Sequence, residues 1–183
     1  MTFRVLNRET MPIRQVTISI NAQKTLLADI YERHCIEACG LLTGSIDDPG
    51  NWHIEHAHPL PNIFNSSVYF EFAPEDVLAI ELDHPGQVVG AYHSHPNGLS
   101  VASRTDRENM KRVNLEQQIP WVWFIISGPF DKPITSLHPL NTPRAALQHR
   151  TERFLRPAII AYHHYEHYGL RQVNIQLEEA LKG

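Results

Sequence analysis

Cysteine, basic residues and long apolar runs are all scarce in this sequence. Only 2 of the 183 residues are cysteine, which is typical of a reducing compartment, because disulfide scaffolds form in oxidising ones. Lysine and arginine number 16 against 20 acidic residues, and the net charge of -4 argues against nucleic acid as a partner. No apolar stretch is long enough to span a bilayer, which argues against a membrane protein.

The N-terminal residues MTFRVLNRETMPIRQ lack the apolar centre of a signal peptide. We therefore expect a cytoplasmic protein. A chain of 183 residues can bury a core without metal or disulfide staples. We expect residues 1–12 to form an N-terminal arm and residues 13–183 to form a single domain.

The two cysteines, Cys35 and Cys39, offer little chemistry of their own. A disulfide across so short a loop would remove little chain entropy. Structural zinc takes four ligands, and the neighbourhood adds mainly His34. A cysteine nucleophile activated by a histidine remains an alternative.

The segment GAYHSHPNGLSVASRTD, from Gly90 to Asp106, is the most informative part of the chain. Alternate side chains of a strand point the same way, so His93 and His95 can bind one ion. A catalytic zinc keeps three protein ligands and an open position. Small and turn-forming residues follow His95, and they allow the chain to return with Asp106 as the third ligand.

An arrangement without metal also fits these residues. Ser103 and Asp106 have the spacing of a helix cap, and H-x-H pairs occur in strands as ordinary packing. Thr105 and Glu108 fit a capping box, which predicts a helix start at this point.

Two other histidine groups resemble metal sites less well. HAHP, His56 to Pro59, repeats the HSHP pattern but has no aspartate at the corresponding distance. His163 and His167 have a helical i, i+4 spacing, with His164 between them. The neighbouring tyrosines and isoleucines predict a strand instead. We interpret both groups as structural.

A zinc hydrolase also needs a group that moves protons. Glu37 lies in HCIEACGLLTG, between a predicted helix and a short apolar run, where rigid elements can hold its side chain. A solvated residue at the end of a helix is the alternative for Glu37.

Taken together, E-A-C-G-L-L-T-G, H-S-H-P, seven residues between His95 and Ser103, and then S-x-x-D resemble the JAMM motif of the MPN domain metalloproteases. The resemblance covers residues 13 to 139 and implies an α+β fold of the MPN/JAMM, cytidine-deaminase-like kind. In that fold a curved mixed β-sheet is flanked by helices. The chain departs from many members at Cys35, where they place a proline two residues before the glutamate.

The resemblance also implies a role for each residue of the motif. His93, His95 and Asp106 would ligate one catalytic zinc ion, with water as the fourth ligand. Glu37 would be the general base and acid, and Ser103 would donate a hydrogen bond to the oxyanion.

Relatives of the prokaryotic single-domain type imply the substrate. They are isopeptidases that cut after the C-terminal Gly-Gly of a ubiquitin-like or sulfur-carrier protein. The tail would add as a strand against the segment from Asn62 to Tyr69. No long insertion lies between Asp106 and Trp121, so the clamp of polyubiquitin-chain enzymes is not expected.

Two other functions stay open. Some MPN domains are scaffolds without metal, although those lose the ligand residues that are present here. Other relatives are metal-dependent peptidases of the cell-wall or phage-tail type. Tail-assembly versions are often joined to a cysteine-peptidase domain, which this chain is too short to hold.

Periodicity predicts the order of the elements. Strands are predicted at IRQVTISI, GLLTG, NWHIEHAHPL, SVYFEFA, QVVGAYHSH, PWVWFIISG and ITSLHPL, and a C-terminal hairpin, AIIAYHHYEHY with LRQVNIQLEE, turns at Gly169. Helices are predicted at NAQKTLLADIYERH, at APEDVLAIELDH and near Thr105. We expect residues 141–157 to be an insertion before the hairpin.

Overall fold

Seven strands and three α-helices form the part of the chain that the structure, a computed structural model, describes: residues 11–130 and 158–178. In chain order the elements are β1 (Gln15–Ile18), α1 (Ile20–Glu32), β2 (Cys39–Ile46), β3 (Trp52–Leu60), α2 (Pro74–Asp83), β4 (Val88–His95), α3 (Arg104–Lys111), β5 (Val122–Ser127), β6 (Ala158–Tyr165) and β7 (Gly169–Leu177). A π-helical turn, Arg112–Glu116, extends α3. The expected α+β class is confirmed.

The strands form a closed sheet in the order β1-β3-β2-β4-β5-β6-β7. β4 and β5 pair in parallel, and β2 runs antiparallel to both β3 and β4. The expected sheet was curved and mixed. It closes because the short β1 pairs in parallel with both β3 and β7.

Two apolar clusters lie on opposite faces of this sheet. One packs Ala22, Leu26 and Ile30 of α1 against the strands. The other packs Met110 of α3 and Val113 of the π-helical turn against the opposite face. β5 alternates between the clusters along its length, as a strand buried on both faces does.

One predicted strand is wrong. SVYFEFA, residues 67–73, forms an irregular segment between β3 and α2. Its alternating apolar pattern does not pair with a strand, because the side chain of Asn62 hydrogen-bonds the backbone carbonyls of Ser66 and Tyr69 and folds the segment into a loop.

Several predictions lie outside the described residues. These are the strand ITSLHPL, the insertion at residues 141–157 and most of the N-terminal arm. Among the described residues, no helix is long and apolar enough to cross a membrane.

Candidate metal centre

β4 and the first turn of α3 bring three potential ligands together. Alternation along β4 directs His93 and His95 to one face, and Asp106 reaches them from the helix. The Nε2 atoms of the histidines lie 3.0 Å apart. The carboxylate of Asp106 is 3.3 Å from Nε2 of His93 and 3.5 Å from Nε2 of His95. All three residues are buried.

The loop after β4 fixes the orientation of His95. Its Nδ1 donates to the carbonyl oxygen of Leu99 at 2.8 Å, which turns Nε2 towards Asp106 and His93. Burial lowers the pKa of His95, but its bonds with Asp106 and Leu99 outweigh burial and raise the pKa overall. Burial opposes the ionised form of Asp106, and the two histidines hold the pKa of this carboxyl far below its usual range.

His93 is held by stacking. Its ring lies 4.5 Å from that of Phe70, with an angle of 23° between the two planes. Its Nδ1 is buried and has no hydrogen-bond partner among the described residues. Burial lowers the pKa of His93, which favours the neutral imidazole that a metal ion requires.

Glu37 lies beside this group, in the turn between α1 and β2. Its Oε1 is 3.9 Å from Nε2 of His95, and the residue is 5% exposed. The next residue, Ala38, exchanges two hydrogen bonds with Ser94 of β4, which joins the Glu37 backbone to the strand of the histidines. Burial raises the pKa of Glu37 to about 7, with a smaller upward effect from Asp106 and an opposing one from His95.

Ser103 caps α3. Its Oγ accepts from the Asp106 N–H at 3.1 Å, and its own N–H donates to Oδ2 of Asp106 at 2.7 Å. The predicted capping box of Thr105 and Glu108 is therefore wrong, because the Ser103–Asp106 pair satisfies the same spacing two residues earlier. The cap also orients the carboxylate that faces the histidines.

These donors fit zinc. The ligand atoms of His93, His95 and Asp106 lie within 4.8 Å of one another and could hold a metal ion. Two neutral imidazoles and one carboxylate make a three-residue set that zinc accepts at catalytic centres. The bond between His95 and Leu99 is the kind of outer contact that orients a ligating histidine.

The other histidines and the cysteines have different surroundings. His163 lies in β6, where its Nδ1 is 2.9 Å from the carbonyl oxygen of Trp121, and His167 is exposed in the following turn. His58 of HAHP bonds Thr43. Burial raises the pKa of Cys39 to about 12, so this thiol is protonated at neutral pH and a poor nucleophile.

Three residues beside the site were not singled out from the sequence. Ser94 holds Ala38, Phe70 stacks on His93, and Asn62 bonds the carbonyl oxygen of Glu37. Ser94 had a detectable signal, because it lies between two predicted ligands on a predicted strand. Phe70 and Asn62 had none, because their contacts join segments far apart in the chain.

Comparison with known proteins identifies the family. Residues 20–138, well over half of the chain, match the family described as prokaryotic homologs of the JAB domain. The chain belongs to this family. The matched part of this JAB-domain protein contains His93, His95, Asp106 and Glu37, and the resemblance to JAMM-motif proteins is confirmed.

Individual relatives of the JAB-domain protein differ in how much they share with it. The desampylase of Haloferax volcanii is 38% identical over 106 residues, which are 54% of this chain and 74% of that one. Tail tip assembly protein K of Escherichia phage lambda is 37% identical over 60 residues, or 33% of this chain and 27% of protein K. A solution structure from Desulfitobacterium hafniense has a TM-score of 0.61 at 21% identity and covers 92% of this chain and 96% of its own. At that identity the likeness shows the fold alone.

Proposed function

We propose that this JAB-domain protein is a zinc-dependent isopeptidase that hydrolyses the bond after the C-terminal Gly-Gly of a ubiquitin-like or sulfur-carrier protein. One observation carries the proposal: a buried carboxylate, Glu37, lies 3.9 Å from Nε2 of His95, beside three convergent metal-ligand candidates. The desampylase relative supports an enzyme over a binding module.

Each side chain has a distinct task in this reaction. His93, His95 and Asp106 would hold the ion, which when bound supplies Lewis-acid activation of a water molecule and of the scissile carbonyl. Glu37 accepts a proton from the attacking water and passes it to the leaving amine. With its pKa raised to about 7 by burial, Glu37 can both accept and release a proton near neutral pH.

Ser103 is the proposed oxyanion donor. Its Oγ accepts one hydrogen bond, from the Asp106 N–H. The hydroxyl proton is not used in that bond, since a serine can accept and donate at once. It is therefore free to donate to the negative charge that develops on the scissile carbonyl oxygen.

The proposed partner surface is the loop of residues 61–73, between β3 and α2. It exposes four large apolar side chains: Ile63, Phe64, Val68 and Tyr69. The backbone of this loop bonds Glu37, so the apolar surface adjoins the site. Because the segment is not a strand, we propose that the extended Gly-Gly tail lies along this loop.

We place the reaction in the cytoplasm. Both cysteines are free thiols, with Cys35 exposed and Cys39 buried. Free thiols are compatible with a reducing compartment.

Zinc analysis and a cleavage assay test the proposal together. The purified protein should contain about one zinc ion per chain and should cleave a ubiquitin-like fusion after its Gly-Gly. Glu37→Gln should keep the zinc and lose about 100-fold or more in turnover, because the proton acceptor is gone. Glu32→Gln changes an exposed glutamate at the end of α1 and is the matched control, which should keep both properties.

Other outcomes would contradict the proposal. Absence of both zinc and turnover would indicate a scaffold. Full turnover in Glu37→Gln would exclude Glu37 as the proton acceptor. A loss of activity in Cys39→Ser but not in His93→Ala would remove the metal hypothesis.

The similarity to tail tip assembly protein K favours a second candidate function. This is a metal-dependent peptidase that acts on a cell-wall peptide or a phage-tail protein. The match covers only 27% of protein K, so we rank it second. Zinc together with activity on short wall peptides, and none on the Gly-Gly fusion, would favour it.

A further inference from the structure

Asn62 is a buried polar residue that the reaction outlined above does not use. It lies two residues after the end of β3 and is 3% exposed. A buried amide must find partners for two donors and an acceptor, because an unsatisfied group at this depth costs roughly 1–3 kcal/mol. Its partners therefore indicate what it is for.

Those partners tie the loop of residues 61–73 to Glu37. The Nδ2 atom of Asn62 donates to the carbonyl oxygen of Glu37 at 3.1 Å and to that of Tyr69 at 2.9 Å. Its Oδ1 accepts from the N–H of Phe64 at 3.1 Å. In the opposite direction, the N–H of Glu37 donates to the carbonyl oxygen of Ser66 at 2.8 Å. The backbone N–H of Glu37 is therefore bonded to Ser66 of this loop, and its backbone carbonyl oxygen is bonded to the side chain of Asn62.

The other side of Glu37 is fixed by the sheet. Oγ of Ser94 accepts from the N–H of Ala38 at 2.9 Å, and the N–H of Ser94 donates to the carbonyl oxygen of Ala38 at 2.8 Å. Glu37 thus lies between a sheet contact on its C-terminal side and the loop contacts of Asn62 and Ser66. Without the loop contacts, the Glu37 backbone would have no hydrogen bond of its own and would be restrained only through its neighbours, by the bond of Ile36 to Arg33 and those of Ala38 to Ser94.

The chemistry of this position selects asparagine. An aspartate at residue 62 would direct lone pairs at the carbonyl oxygens of Glu37 and Tyr69, where the amide now donates. An alanine would leave those carbonyls and the N–H of Phe64 without their partner.

We propose that Asn62 is a positioning residue for Glu37. It holds the proton-transferring carboxylate in place by fixing its backbone to the loop whose outer surface carries Phe64 and Val68. Asn62 therefore supports two features at once. It holds the loop whose outer surface contacts the partner, and it holds Glu37 on the inner side of the same loop. This inference rests on the proposed isopeptidase function.

Asn62→Ala tests the proposal through the kinetics of Gly-Gly fusion cleavage. We expect kcat to fall by about tenfold to a hundredfold, because small displacements of a catalytic group have effects of this size. KM should rise as well, because the bonds of Asn62 to Phe64 and Tyr69 also hold the outer face of the loop. The matched control is Asn21→Ala, the same substitution at an exposed asparagine of α1 that has none of these contacts, so its kcat should be unchanged.

A spectroscopic readout separates positioning from damage to the metal site. With Co²⁺ in place of zinc, the visible spectrum of Asn62→Ala should match that of the wild type, since His93, His95 and Asp106 are on other elements. An altered spectrum would overturn the proposal, and so would a kcat equal to that of Asn21→Ala. If Asn62→Ala does not fold, Asn62→Gln keeps the amide and shifts it by one methylene, and it should show the same loss in kcat.

Amide hydrogen exchange tests the inference without any substrate. In Asn62→Ala, exchange at the amides of Phe64 and Glu37 should become faster, while the Ser94 amide, bonded to Ala38, should keep its rate. Unchanged exchange at Glu37 would refute the inference even if the protein is an active isopeptidase. Faster exchange in a protein that does not cleave the fusion would refute the proposed function alone.

Discussion

At the scale of single residues, Asp106 combines two tasks. Its carboxylate accepts a hydrogen bond from the N–H of Ser103, the residue that caps the start of α3. The same carboxylate faces both histidines. Whether these residues form a cap or part of a metal site could not be decided from their spacing, and in the structure the same atoms have both sets of contacts. Ser103 likewise caps the helix and keeps a hydroxyl proton free.

Two substitutions at Ser103 separate the helix cap from catalysis. Ser103→Ala removes the cap and the hydroxyl, and Ser103→Gly removes the hydroxyl while costing the cap only a few tenths of a kcal/mol. Both variants should lose about 100-fold or more in kcat, as the removal of an oxyanion donor does. Only Ser103→Ala should also lose about 1 kcal/mol of unfolding free energy. Urea unfolding and steady-state kinetics measure the two effects.

A loss of kcat that follows the loss of stability would contradict the oxyanion role of Ser103.

At this scale, only some of the residues at the site could be predicted from the sequence. The residues that come together at the site were identifiable because E-A-C-G-L-L-T-G, H-S-H-P and S-x-x-D together resemble the JAMM motif, whereas each pattern alone also fits an arrangement without metal. Asn62 and Phe70 were not, because each acts on a residue more than twenty positions away in the chain.

At the scale of elements, the loop of residues 61–73 gave the largest error. Its apolar alternation predicted a strand, yet its side chains have two different surroundings: Phe70 stacks on His93, while Val68 is 74% exposed. Strands β2 to β5 and the hairpin were predictable, because burial imposes a clear pattern on each of them. The loop is held by bonds of the Asn62 side chain and by backbone bonds such as that of Ile63 to Glu71, and no periodicity reveals either kind.

Charge on the outer face of this loop should weaken substrate binding. Val68→Asp places a carboxylate where we expect the partner chain to pack, so KM for the Gly-Gly fusion should rise about tenfold while zinc content stays the same. Leu82→Asp is the matched control, because Leu82 of α2 is 72% exposed and lies on an element that does not bond Glu37. Equal KM values for the two variants would remove the loop as the docking surface.

At the scale of the whole molecule, the closed sheet was not predictable. The pairing of β1 with β7 joins residues at opposite ends of the chain, and its register is Gln15 with Asn174. β1 has only four residues, and their alternating burial does not specify which strands pair with them. The closed sheet also buries polar groups, including His163, which packs against Trp52 and Tyr165.

His163 should make the fold sensitive to acid. Burial lowers its pKa from 6.5 to about 4. Between these values the unfolded chain binds a proton that the folded protein excludes, so the free energy of unfolding falls as pH falls from 6.5 to 4. The contribution of His163 amounts to about 3 kcal/mol over this range. Urea unfolding at several pH values measures it.

His163→Gln is the control for this effect. Glutamine does not titrate, and its amide can still donate towards the carbonyl oxygen of Trp121, which now lies 2.9 Å from Nδ1 of His163. The variant should therefore lose less stability on acidification than the wild type. Parallel stability curves for the two proteins would show that His163 does not carry the effect.

Because β1 pairs with β7, the sheet can close only after the C-terminal part of the chain has been synthesised. A ribosome adds roughly 5–20 residues per second, so β7 is synthesised on the order of ten seconds after β1. Until then β1 has only β3 as a neighbour, although His93, His95 and Asp106 have already been made. The nascent chain therefore contains every residue of the candidate metal centre before the sheet that carries His93 and His95 can close.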